Sequence, residues 1–179
     1  MEERLDIFNQ NRERTGESQT YKNVHLRGLL HKTVHVWIVN SKKQFLLQKR
    51  SKNKSAYPSY WDISAAGHID SGETSLEAAK RETKEELGID LPDSEFNLLD
   101  TIKQPIIKHS DIFIDNEFND IYLIHRDINV SELKIQIDEV EEMRWVSKEE
   151  FEKWIRGEGE ILVPHEEEYK ILLHKFDTF

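Results

Sequence analysis

The segment 67–88, GHIDSGETSLEAAKRETKEELG, constrains this chain more than any other, because both ends of a helix and the chemistry it carries can be read from it. Thr74-Ser75-Leu76-Glu77 offers a capping box, good helix formers run through Leu87, and Gly88 supplies the stop. At about 100° per residue, Leu76, Ala79, Thr83 and Leu87 share one stripe while Glu82, Glu85 and Glu86 spread over the adjacent arc. One flank is expected to pack and the other to present acid. Three carboxylates at this spacing can converge on a hard cation through oxygen, and Mg²⁺ or Mn²⁺ fits best. Such an ion neutralises phosphate oxygens, orients a leaving group and acidifies water, the needs of phosphoanhydride hydrolysis. An acid-rich helix is by itself more often a solvated face balanced by Lys and Arg, so the glutamates alone carry no assignment.

The wider spacing adds the specificity. Gly67, Glu73, Arg81, Glu82, Glu85, Glu86 and Gly88 together resemble the Nudix box. With residue usage of roughly 5–10% each, a chance match at one register is on the order of 10⁻⁸. The resemblance implies an α/β protein of the Nudix fold, an α/β/α sandwich with a central mixed sheet. It implies that Glu82, Glu85 and Glu86 hold divalent ions, with the Gly67 carbonyl adding a ligand, and that Glu73 and Arg81 order the catalytic motif. Glu85 and Glu86 are the first choices for metal and base chemistry. One letter departs: a bulky aliphatic residue is usual where Thr83 stands, and its methyl should keep most of the packing.

Outside the box, the segments 30–36, 46–50 and 60–62 resemble the isopentenyl-diphosphate isomerase-like branch of the same superfamily. In those isomerases a catalytic cysteine precedes the Gly-His at the head of the box. Here Ala66 stands there, and the chain has no cysteine at all. Ala66 cannot protonate or deprotonate an alkene carbon, so hydrolysis is expected over isomerisation. The isomerases also complete a metal site with histidines and a downstream pair of acids. His31 and His68 match such positions, Glu117 and Asp115 correspond to the acids, and His25 is offset by one residue. The plainer reading of a lone histidine is structural or solvated.

The organisation agrees with one folded unit. Its 179 residues suit a single domain, with 1–30 as a polar lead-in segment packed on a Nudix hydrolase domain at 31–179. Segments 33–40 and 45–50 read as strands joined by a short turn, followed by strand candidates at 60–64, 96–102, 112–114, 121–125 and 143–146. Ser147 opens a second helix by capping logic, and Pro164 begins a third that runs to about residue 175. Strands mixed with helices indicate a layered domain.

No run approaches the roughly 20 apolar residues of a membrane span, and the N-terminal residues carry no basic-then-apolar signal pattern, so a cytoplasmic location without membrane attachment is expected. A formal net charge of −10 repels nucleic-acid polymers, whereas a small anionic diphosphate can be accepted through a bound cation. The basic stretch 42–54 is mostly a solvated turn, with Arg50 singled out as a substrate-binding residue at the end of a strand. Trp61 could stack on a base or hydrophobic tail, although a tryptophan beside a strand is more often core. Glu117 and Glu139 are candidates for an extra ligand or general base. The expected activity is Mg²⁺-dependent cleavage of a diphosphate linkage in a nucleoside diphosphate derivative or related small diphosphate. The alternatives are isopentenyl-diphosphate isomerase-like activity and a non-catalytic nucleotide-binding module. The oligomeric state, a homodimer included, is not written in the sequence.

Overall fold

The structure is a computed structural model and describes residues 2–176, so the last three residues of the expected 31–179 domain lie outside it. The chain opens with a hairpin of β1 (Arg4–Phe8) and β2 (Arg14–Thr20), then a short helix α1 (Tyr21–Arg27). Next come β3 (His31–Val39), β4 (Gln44–Arg50), β5 (Trp61–Asp62), β6 (Ala65–His68) and helix α2 (Ser75–Leu87). After it run β7 (Asn97–Lys103), a small hairpin of β8 (Ile107–Ser110) and β9 (Phe113–Asp115), β10 (Glu117–His125), β11 (Val140–Ser147), α3 (Lys148–Ile155) and α4 (Glu166–Lys175).

The main sheet has the order β11-β4-β3-β10-β7, with β5 added to β4 and β6 to β3. It is mixed: β3 and β10 run parallel, and the other pairs are antiparallel. Side chains alternate across a strand, which sorts β3 into two sets. Val34, Val36 and Ile38 join the core beneath α2, with Ala78, Ala79, Leu87 and Ile124. Trp37 and Val39 join the opposite core with Phe45, Phe151, Trp154, Tyr169 and Leu172, beneath α3 and α4. A sheet buried on both faces is the α/β/α sandwich expected, and it explains why β3 reads as nearly continuous apolar sequence.

The box helix keeps the ends its sequence dictates. Thr74 Oγ1 accepts from Glu77 N, Glu77 returns the bond to Thr74 N, and Gly88 closes the helix at φ 73. Thr83 is fully buried, and its hydroxyl donates to the Ala79 carbonyl at 2.7 Å, so the polar atom costs little in the core. Ser147 caps α3 by accepting from Glu150 N, whereas α4 begins at Glu166, two residues beyond Pro164.

The lead-in segment has more structure than its composition shows. Leu5 and Val24 are fully buried, Ser71 N donates to the Arg4 carbonyl, and Ser71 Oγ and Gly72 N both donate to Asp6. The hairpin is thereby tied to the loop that precedes the box helix. Among the described residues, no helix is long and apolar enough to cross a membrane.

Candidate active site

The box residues converge on one cleft. Gly67, Glu82, Glu85 and Glu86 line it, together with Glu139, Lys54 and, from the N-terminal hairpin, Glu3. Gly67 leaves room for the Glu82 carboxylate, since a Cβ there would lie 2.0 Å from Glu82 Oε1. Arg81 orders the loop, donating to both oxygens of Glu73 at 3.0 Å, to the His68 carbonyl at 2.8 Å and to Glu82 Oε1 at 2.6 Å. A bidentate guanidinium–carboxylate pair fixes direction as well as distance, so Glu73 and Arg81 act here by positioning.

Glu86 is buried, and its Oε2 accepts from Gln48 Nε2 at 2.9 Å and Ala66 N at 3.3 Å. Burial, reinforced by Glu82, pushes its pKa up to about 8. Burial likewise lifts Glu82 to about 7, against the pull of Arg81. Two desolvated carboxylates facing a polar cleft are costly as neighbouring anions and favourable around a cation. The donor set, all oxygen, and the glycine cradle beside Glu82 fit a hard divalent ion.

A second cluster adjoins the first. Ligand atoms of His25, His31, His68 and Glu117 all lie within 4.8 Å of one another. The strand registers explain this: Glu117 pairs with His31 across the parallel β3–β10 ladder, and His68 pairs with Thr33 two residues further along the same face. His25 Nδ1 donates to the Tyr21 carbonyl and His31 Nδ1 to the Leu29 carbonyl, both at 2.9 Å, which leaves each Nε2 turned to the cluster. Among the described residues, the Nε2 atoms of His25, His31 and His68 are buried without a hydrogen-bond partner. Orienting one imidazole nitrogen through a carbonyl while freeing the other is how metal-binding histidines are held. Burial lowers the His68 pKa to about 3, keeping it neutral. Burial opposes a proton on His31 as well, but Glu117, 3.3 Å away, outweighs it and raises that pKa. These residues fit a divalent ion with nitrogen and oxygen ligands.

His25, offset by one residue in the sequence comparison, is brought into the cluster because it rides on α1 rather than on a strand. Asp115 instead pairs with His109 at 2.7 Å and lies 3.7 Å from His25 Nε2. Arg50 lines the adjoining cavity, its guanidinium donating to Asp62 Oδ2 at 2.8 Å and to the Ala56 carbonyl. Trp61, expected as a stacking surface for substrate, is corrected: it is 2% exposed, tilted against Trp154 at 5.5 Å and covered by Arg144. No face is left for a ligand. Glu139 reaches the box cleft and pairs with Lys54. Sequence reasoning missed two residues here. Lys54 was legible only as one member of a basic run, and Glu3 carries no sequence signal, because its place depends on the β1 hairpin.

A model of the NUDIX domain matches residues 29–165. An uncharacterized Nudix hydrolase of Listeria monocytogenes is 40% identical over 160 residues, 89% of this chain and 88% of that protein. Nudix hydrolase 3 of Arabidopsis thaliana is 40% identical over 92% of this chain, which spans 22% of that longer protein. Isopentenyl-diphosphate Delta-isomerase 1 of Bos taurus is 31% identical, with coverage of 91% and 78%. Among solved structures, DR0079 of Deinococcus radiodurans superposes with a TM-score of 0.70 at 24% identity, covering 89% of this chain and 92% of that one. The chain belongs to the Nudix hydrolase family, with weaker similarity to the isomerases, and is an enzyme of the class that cleaves phosphoanhydride bonds.

Proposed function

We propose that this protein is a Mg²⁺-dependent hydrolase that cleaves a diphosphate linkage in a nucleoside diphosphate derivative or related small diphosphate. The observation that carries this reading is the meeting of Glu82, Glu85 and Glu86 with the Gly67 backbone in one cleft, two of the carboxylates desolvated. Bound there, a divalent ion would neutralise phosphate oxygens and acidify water. Glu82, Glu85 and Glu86 would hold it, with Arg81 and Glu73 fixing the loop. Lys54, which lines the cleft, would meet negative charge on the substrate, and Glu85 or Glu139, on the same cleft, would take a proton from the attacking water.

The histidine cluster supports a second cation, held by His25, His31, His68 and Glu117. Isomerisation of an isoprenoid diphosphate is disfavoured because Ala66, with no proton to exchange, lines the cavity beside Gly67. A purely binding role is disfavoured because every box carboxylate is retained.

The test is turnover of a diphosphate panel with Mg²⁺, including isopentenyl diphosphate, read as phosphate or nucleotide release. Hydrolysis that disappears in a folded Glu86→Gln variant supports the proposal. Isomerised product, or turnover untouched by Glu86→Gln, sinks it.

A further inference from the structure

Between β3, β10 and the start of α4 lies a small chamber that the diphosphate chemistry does not use. Side chains alternate along β3, so His35 shares a face of the sheet with Trp37, the face that packs beneath α4. His165 stands at the start of α4 and Glu168 follows three residues later, a spacing that sets both on one side of the first turn. The rings of His35 and His165 meet with centroids 4.9 Å apart. One ligand atom from each of His35, His165 and Glu168 lies within 4.8 Å of the other two. Tetrahedral ligands of zinc stand about 3.4 Å apart, so a small rotation of the rings closes the set around one ion. None of the three belongs to the box or to the cluster around His31.

The surroundings hold these side chains as ligands are held. His165 Nε2 lies 2.9 Å from Asp62 Oδ1, and Asp62 is itself fixed by Arg50 at 2.8 Å, which leaves His165 Nδ1 for another partner. Glu168 is fully buried, bonds His35 Nδ1 through Oε1 and accepts from Trp37 Nε1 at 3.4 Å through Oε2. A carboxylate behind one imidazole nitrogen is the outer contact that orients a metal-binding histidine. Charge points the same way: two buried carboxylates, Asp62 and Glu168, face the Arg50 guanidinium, and a divalent ion between neutral imidazoles supplies the balance that protonated rings would otherwise carry. The chamber itself encloses about 60 Å³, room for an ion and a water, with Gln104 in its wall. Among the described residues, Gln104 Nε2 is a buried donor with no partner. A neighbouring cavity of about 190 Å³, also lined by His35 and His165, gives the way in.

We infer that His35, His165 and Glu168 form a zinc-type site, separate from the box, in which a transition-metal ion takes the place of the His35–Glu168 hydrogen bond and clamps the start of α4 to β3. Two imidazoles and one carboxylate select zinc over magnesium, which prefers oxygen alone. Three protein ligands leave a fourth place for water, and that oxygen gives Gln104 Nε2 the acceptor it lacks. Asp62 is a positioning residue that presents His165 Nδ1 to the ion. The role is independent of diphosphate cleavage, because the ion joins the last helix to the sheet rather than meeting the substrate.

The test reads metal binding and stability, not turnover, so its outcome is separate from that of the proposed activity. The cluster around His31 is broken by combining His31→Ala with His68→Ala, excess Mg²⁺ fills the box, and Zn²⁺ is titrated calorimetrically. One equivalent is expected to bind, with an X-ray absorption spectrum showing two imidazole ligands. Tm should rise by about 5–10 °C once zinc stands at about a hundred times its dissociation constant. Co²⁺ in the same protein should give a d–d band that owes nothing to the broken cluster. Asp62→Asn should weaken zinc at least tenfold, and His165→Phe should abolish the bound equivalent, the band and the gain in Tm. In the chain with its other histidines intact, His165→Phe should lower the zinc stoichiometry by one. No zinc bound after the cluster is broken, a bound zinc with fewer than two imidazoles, or a gain in Tm that survives His165→Phe would overturn the inference.

Discussion

Gln48, on β4, donates through Nε2 to Glu86 Oε2 at 2.9 Å, joining the sheet to the most deeply buried carboxylate of the box helix. This bond pulls down the Glu86 pKa, which burial has pushed up. Replacing Gln48 with Met removes the donor while keeping the volume. The acid limb of the activity profile should then move to higher pH, and Mg²⁺ affinity at pH 7 should fall several-fold. An unshifted profile would show that the bond does not tune Glu86.

Glu86 and Glu82 titrate at about 8 and 7, above the 4.5 of an ordinary glutamate. Because the folded pKa is raised, the folded state prefers the protonated carboxyls. Their stabilisation is present below about pH 4.5 and is lost as pH rises toward 8. A cation reverses the sign by favouring the anions. In thermal melts, the metal-free protein should lose Tm between pH 5 and 8, while the gain on adding Mg²⁺ should grow across the same window. A Mg²⁺ effect that is flat with pH would contradict this.

Gly67→Ala places a methyl against the Glu82 carboxylate, the movable end of a side chain. The fold should survive with a small change in Tm, because Glu82 can swing away. Mg²⁺ affinity should fall tenfold or more, as the carboxylate leaves its place beside Gly67. A calorimetric titration with Mg²⁺ on the folded variant reads this directly.

Cobalt(II) gives the histidine cluster a visible signature. If His25, His31, His68 and Glu117 hold a cation, Co²⁺ should produce d–d absorption that His31→Ala removes and Glu82→Gln leaves in place. Loss of the band in Glu82→Gln alone would assign it to the box instead.

Glu168 is fully buried against His35 and Trp37. Glu168→Ala strands the imidazole, and removing one partner of such a buried pair costs about 3–5 kcal/mol. Denaturant unfolding should show a midpoint lowered to match. A change below 1 kcal/mol, on the order of a surface pair, would mean that solvent enters the chamber freely.

The legible parts of this protein are those whose cause is local. Thr74, Glu77 and Gly88 set the limits of α2 through bonds made within a few residues, and the glutamate spacing follows from helical pitch. Ser147 is read as a cap for the same reason. What escaped depends on partners distant in sequence. The short strand β6, in Ala65-Ala66-Gly67-His68, exists because β3 offers an edge to it. His25 reaches the cluster only because α1 packs its ring against His31 and His68, which lie on β3 and β6. Trp61 has the composition of a ligand platform, and only the fold reveals that it is buried against Trp154 and Arg144.

The N-terminal hairpin carries a consequence for how this enzyme can be divided. The span that matches the family begins at residue 29, yet Glu3, Tyr21 and His25 border the cavities at the heart of the molecule. Trimming to that span would retain the scaffold and strip one wall from its reaction vessel. Transplanting the chemistry onto another Nudix scaffold would require moving the first strand and helix along with the box.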